Sequence, residues 1–117
     1  HYATSSITVS PEGYRQKEET ELVLSGKITT HSYVYNEHGW IASIETSDNQ
    51  GTNRYLRQFE YDEFGNLLKI RFLTNTHLDR EIEILYTDTM LIEAVLDMDM
   101  STQDIVIYKY AYEFAPH

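Results

Sequence analysis

The chain has 117 residues, 41% of them hydrophobic and 13% aromatic, and a formal net charge of −10 at pH 7. That length fits one domain with a real core, and the apolar content is too high for a disordered chain. Nine Lys and Arg against nineteen Asp and Glu argue against nucleic acid and anionic membrane surfaces as partners, and zero cysteines exclude disulfides and thiol chemistry. No apolar run approaches the length of a membrane helix. The sequence starts at His1 rather than Met, so we expect a leader, a propeptide or a tag to have preceded it.

Taken in chain order, the patterning predicts strands over Ser5–Val9, Tyr14–Leu24, Ile28–Tyr35, Trp40–Thr46, Arg54–Tyr61, Asn66–Leu73, Arg80–Tyr86, Leu91–Asp99 and Asp104–Phe114. Alternation is clearest late in the chain. Val106, Tyr108, Tyr110, Tyr112 and Phe114 share one face of the last strand, with Ile107, Lys109, Ala111 and Glu113 on the other. Ile82, Ile84 and Tyr86 likewise oppose Glu81 and Glu83. One face of the sheet is therefore expected to be apolar and aromatic, and the other mixed and charged. Tyr14–Leu24 is the exception: its polar run RQKEETE suits a solvent-facing strand or a short helix, and the phase of the repeat favours the strand.

The turns carry the strongest signal. Ser10-Pro11-Glu12-Gly13, Asn36-Glu37-His38-Gly39 and Asp62-Glu63-Phe64-Gly65 each place a small polar residue first and Gly fourth. A side-chain oxygen at the first position accepts from backbone N–H groups just ahead, and Gly takes the φ > 0 of a type I turn with a G1 bulge. The glycines lie 39 − 13 = 26 and 65 − 39 = 26 residues apart. Thr87-Asp88-Thr89-Met90 follows at 90 − 65 = 25, with Met90 where Gly is expected, which leaves its turn type open. Weaker turns near Ser25-Gly26, Ser47–Asn53, Asn75–Asp79 and Ser101–Asp104 fall between them. The expected fold is all-β: an antiparallel up-and-down meander of about nine strands built from hairpin repeats of about 26 residues. Such a sheet can close, fold over itself or pack on a partner. We expect a closed or nearly closed barrel.

Tyr33-Val-Tyr35-Asn36-Glu-His-Gly39 and Phe59-Glu-Tyr61-Asp62-Glu-Phe-Gly65 resemble the YD repeat, Tyr-x-Tyr-Asp-x-x-Gly followed by an apolar strand. Ile7–Tyr14 matches it loosely and Ile84–Leu91 is degenerate, and the copies together tile most of the chain. The repeat occurs in large RHS-type shells, which need far more copies, and in small secreted or lipid-anchored bacterial proteins described as porin-like. The chain resembles the second group. The resemblance implies an extracytoplasmic location, leaves room for a lipid anchor lost with the N-terminus, and offers no catalytic residues.

Aromatic residues are the leading candidates for chemistry. Trp40, Tyr61, Tyr108, Tyr110 and Tyr112, with Tyr55 and Phe59, would serve as a platform for sugar rings or line a cavity for an apolar ligand; the simpler reading is core filling and cross-strand pairing. Leu96-Asp97-Met98-Asp99-Met100-Ser101 with Asp104 has alternating oxygen ligands like a calcium loop. It lacks the central Gly, and Tyr108 stands where the closing Glu belongs. His31 and His38 flank one hairpin without a third ligand, and no HExxH-type element exists. Glu81 with Glu83 and Glu18 with Glu19 are same-strand neighbours, whereas glycoside hydrolysis needs two carboxylates facing across a cleft. No nucleophile elbow, phosphate loop or dinucleotide fingerprint is present. The expectation is a non-enzymatic binding or structural scaffold without cofactor or metal, taking a glycan or protein ligand. A barrel carrying a small apolar ligand is the alternative, and a glycan hydrolase is a weaker one. Unpaired strand edges would also allow an oligomer.

Overall fold

The computed structural model describes residues 3–22 and 26–113. They form nine strands and no helix: β1 (Ala3–Val9), β2 (Arg15–Leu22), β3 (Lys27–Tyr35), β4 (Ile41–Asp48), β5 (Tyr55–Tyr61), β6 (Leu67–Thr74), β7 (His77–Tyr86), β8 (Ile92–Asp99) and β9 (Ile105–Lys109). All nine lie in one sheet in sequence order, each antiparallel to the next. The expected meander is therefore present, with strand ends displaced by a few residues. The largest change is at the last strand, which stops at Lys109. Phe114 lies outside the described residues, as do 23 and 24 at the end of the second expected strand.

RQKEETE is strand, not helix. Its own composition does not decide this. Lys17 to Glu21 pair on one side with β1 and on the other with β3, and two ladders outweigh a modest local helix propensity.

All four turns of the 26-residue phase are alike. Gly13, Gly39 and Gly65 have φ of 92°, 81° and 89°, and Met90 joins them at 66°. In each turn the fourth N–H donates to the first carbonyl: Gly13 to Ser10 at 2.9 Å, Gly39 to Asn36 at 3.0 Å, Gly65 to Asp62 at 3.2 Å, and Met90 to Thr87 at 2.9 Å. The first residue's N–H in turn donates to the fifth carbonyl, Ser10 to Tyr14, Asn36 to Trp40, Asp62 to Asn66 and Thr87 to Leu91, which completes the G1 bulge. A further register shift lies one pair along each ladder, at Thr8/Val9, Val34/Tyr35, Glu60/Tyr61 and Leu85/Tyr86. The first-position side chains act as expected. Asn36 Oδ1 accepts from His38 and Trp40 N–H, Asp62 Oδ1 from Phe64 and Asn66 N–H, and Thr87 Oγ1 from Leu91 N–H. Met90 thus keeps the turn of the other copies in a conformation that Gly favours.

The opposite ends of the strands repeat too. Asn49 and Asn75, 75 − 49 = 26 residues apart, each accept through Oδ1 from a backbone N–H 21 positions earlier, Ile28 at 2.7 Å and Arg54 at 2.8 Å. Each returns its own N–H to the same residue's carbonyl. Asn75 and Thr76 then form a two-residue hairpin loop with φ of 48° and 73°.

The sheet does not close into a barrel, contrary to the expectation above. β1 and β9 are its two edges, and strands contact only their sequence neighbours. The radius of gyration is 18.1 Å, against about 13 Å for a compact domain of this length. Among the described residues only Ile44 and Ala94 are buried. The distribution of charge supplies the physical reason. Following cross-strand partners, Tyr33, Ile44, Arg57, Phe72, Arg80 and Asp99 run across one face, so the aromatic face also carries charge. The other face carries Arg71 and Glu81 but also Leu96, Met98, Ile105 and Ile107. The expected division into one apolar and one charged face is corrected on this point. Closing either face inward would strip water from several ions, at a cost of several kcal/mol each.

Candidate functional site

The repeat places its aromatic rings in two registers. Beside the turns, Tyr14 packs on Tyr35 with centroids 4.9 Å apart, and Trp40 packs on Tyr61 at 5.4 Å and on His38 at 4.6 Å. Each ring also covers the next copy's turn glycine. A Cβ on Gly65 would sit 3.0 Å from Trp40 Cζ2, and one on Gly39 would run into the Tyr14 ring. Gly at these positions therefore serves the backbone and makes room for a ring. Gly13 has open space around it and serves the backbone alone.

The second register is a set of tyrosine latches. Tyr61 donates its hydroxyl to the Ile41 carbonyl at 2.7 Å, Tyr86 to Leu67 at 2.6 Å, and Tyr112 to Ile92 at 2.7 Å. In each case the acceptor is the first residue of the preceding even-numbered strand. The hydroxyl thus ties one hairpin to the previous one. Burial pushes the Tyr61 and Tyr86 hydroxyls above their ordinary pKa, with Asp62 adding to the effect on Tyr86. Tyr86 was not among the candidates, although its position 25 residues after Tyr61 and 26 before Tyr112 marked it in the sequence.

The five candidate aromatics thus fall in two places. Trp40 and Tyr61 stand together, half-buried, at the β4–β5 end, whereas Tyr108, Tyr110 and Tyr112 lie on or just after the edge strand β9, each exposed. β6, β7 and β8 separate the two groups. The turn residues Gly13, Asn36, Gly39, Asp62 and Gly65 have the structural roles described above.

Next to β9 lies an open groove of about 650 Å³, lined by Leu85, Ala94, Leu96, Ile107 and Ala111, with Glu93, Lys109 and Tyr110. Its character is mainly apolar.

The charged candidates are engaged locally. Asp97 makes a two-oxygen ion pair with Arg80, whose guanidinium holds the carboxyl below the usual aspartate range. Asp99 Oδ1 accepts from the Ser101 hydroxyl and from Ser101 and Thr102 N–H, and these bonds lower its pKa. Both carboxylates are thus committed to a cross-strand pair and a turn. Glu81 meets Arg71 at 3.1 Å and Lys69 at 3.5 Å. His31 bonds Thr46 through Nδ1 at 2.9 Å, away from His38 on the Trp40 ring. No group of three or more metal-ligating side chains, and no helix long and apolar enough to cross a membrane, occurs among the described residues.

No protein-family model matches the chain, and no curated protein is similar to it.

Proposed function

We propose that the chain is a non-enzymatic, extracytoplasmic scaffold of YD-type repeats that binds a glycan or protein partner. The observation that carries this reading is the open single-layer sheet, whose rings at Tyr108, Tyr110 and Tyr112 stand exposed on a hydrogen-bonded framework. An aromatic face of this kind stacks on sugar rings or accepts apolar side chains of another protein. The resemblance of Tyr33–Gly39 and Phe59–Gly65 to the YD repeat supports the extracytoplasmic location. A carrier that encloses its ligand in a closed barrel is set aside, because the sheet is open.

Titration against a glycan array, followed by thermal shift on each hit, tests the reading. A ligand at about a hundred times its dissociation constant adds about 2.7 kcal/mol, which a domain of this size shows as a clear rise in Tm. Tyr108→Ala should abolish the rise while leaving the fold intact. Turnover of a bound glycan would refute the non-enzymatic reading, and loss of no ligand on substitution of these tyrosines would refute the aromatic site.

A further inference from the structure

We infer that two copies of this chain associate through β9, pairing the two edge strands antiparallel about a two-fold axis through Ile107. The backbone supplies the first argument. Tyr110 N–H donates to Glu93 O at 3.0 Å and Asp99 N–H to Asp104 O at 2.9 Å, so the even-numbered residues turn their N–H and C=O groups toward β8. Antiparallel ladders alternate, so Ile105, Ile107 and Lys109 turn theirs outward. No described strand lies beyond that edge, and the register with β8 runs unbroken from Ala94↔Lys109 to Met98↔Ile105.

The side chains supply the second. Natural edges are blunted by charge, proline, bulges or a covering element. The β1 edge has a broken register at Thr8/Val9, where its β2 partner skips Gln16, and carries the polar residues Ser5, Ser6 and Thr8. β9 has neither: Ile105, Val106, Ile107 and Tyr108 are 57%, 49%, 53% and 51% exposed, with Lys109 at the end.

Charge and direction choose the occupant. With a net charge of −10, two copies repel over most of their surface, but Ile105–Tyr112 contains one lysine and no acid. Odd-numbered strands all run the same way, so a copy added in the same orientation would present β1 parallel to β9. A two-fold copy presents β9 antiparallel. It sets Ile107 against its own counterpart, Val106 against Tyr108, and Ile105 against Lys109. Three outward residues on each strand then form three reciprocal pairs, with two bonds per pair and 3 × 2 = 6 bonds in all. The interface is small, so the dimer is a weak one. This inference rests on the edge geometry and not on the ligand reading above.

Sedimentation equilibrium from roughly 10 µM to 1 mM, the span expected of a small interface, should show the mass rising from one copy toward two. Added salt should favour the dimer by screening the acidic surfaces. Ile107→Pro removes an outward N–H without touching the β8 ladder, and should raise the dissociation constant about tenfold or more. Ile107→Ala, which keeps that N–H, should have a smaller effect. If the proline variant does not fold, Ile107→Cys decides. In a chain without cysteine, two residues on the axis would have Cα atoms about 5.5 Å apart and oxidise readily to a disulfide dimer. Ser5→Cys on β1 should not. A chain that stays monomeric at 1 mM, a mass that climbs past two copies, or equal cross-linking at both positions would overturn the pairing.

Discussion

Met90 occupies a turn whose three counterparts all use glycine, so Met90→Gly tests the repeat directly. Its φ of 66° is within the left-handed region, and its N–H and the Thr87 N–H make the same two turn bonds seen at Gly39. A non-glycine residue in that region costs about 1–2 kcal/mol. Glycine relieves this strain but loses more backbone freedom on folding, an opposing term of about 0.4–1 kcal/mol. The Met90 side chain is 44% exposed, so its removal sacrifices little packing. The sum is a stabilisation of about 0.5–1 kcal/mol, or a Tm rise of about 2–5 °C for a domain of this length. Scanning calorimetry and urea unfolding at neutral pH would read it. A fall in Tm beyond error would mean that the Met90 side chain holds this end of the sheet more firmly than the turn strains it, and would sink the repeat argument at the fourth copy.

Three further outcomes follow from the same geometry. Alanine at Gly13, Gly39 and Gly65 meets similar backbone strain at each site, but a ring crowds the last two; urea unfolding should show Gly13→Ala costing about 1 kcal/mol and the others about 1–3 kcal/mol, and equal losses would refute the ring-clearance role. Tyr86→Phe removes the donor to the Leu67 carbonyl and should cost about 0.5–1.5 kcal/mol in urea unfolding; an unchanged midpoint would show that the latch contributes nothing. Asp62 concerns pH. Partial burial pushes its carboxyl up, but bonds from Asn66, Phe64 and Gly65 outweigh that and hold its pKa below 3.8. A folded pKa below the unfolded one gives stability that is present above pH 3.8 and lost as pH falls through the folded value. Asp62→Asn keeps the cap, as Asn36 does one copy earlier, so its stability should fall less steeply below pH 4 while changing little at pH 7. A parallel acid limb would remove Asp62 from the account.

The hairpins were legible because their signals are local. Gly13, Gly39 and Gly65 at a period of 26, each led by a residue with a short capping oxygen, state both turn type and spacing. What was not legible depends on partners several strands away. Lys17 to Glu21 form a strand because β1 and β3 bracket them, and nothing within RQKEETE says so. Closure is not legible, because alternation within Val106–Tyr112 shows which residues share a face but not what covers that face. Only the register, which aligns Arg80 with Phe72 on one face and Arg71 with Glu81 on the other, shows that neither face is dry enough to turn inward. The aromatics are plain in the sequence, but their division between the Trp40 end and the β9 edge is a matter of strand order. Tyr86 is hard to pick out because its copy departs from the motif at Thr87 and Met90, although the tyrosine itself keeps phase.

Because each strand touches only the strands before and after it, the molecule behaves as a line of coupled units. Its stability is then a sum of hairpin terms and neighbour terms, and each added copy contributes one of each. Amide exchange should be slowest near β5–β6 and quicken toward both ends, since an outer strand has one neighbour to lose and an inner strand has two. Deleting or duplicating one 26-residue copy shortens or lengthens the line without disturbing any other contact. The chain's length is in this sense adjustable in steps of a single hairpin, a freedom that a closed barrel with its fixed circumference would lack.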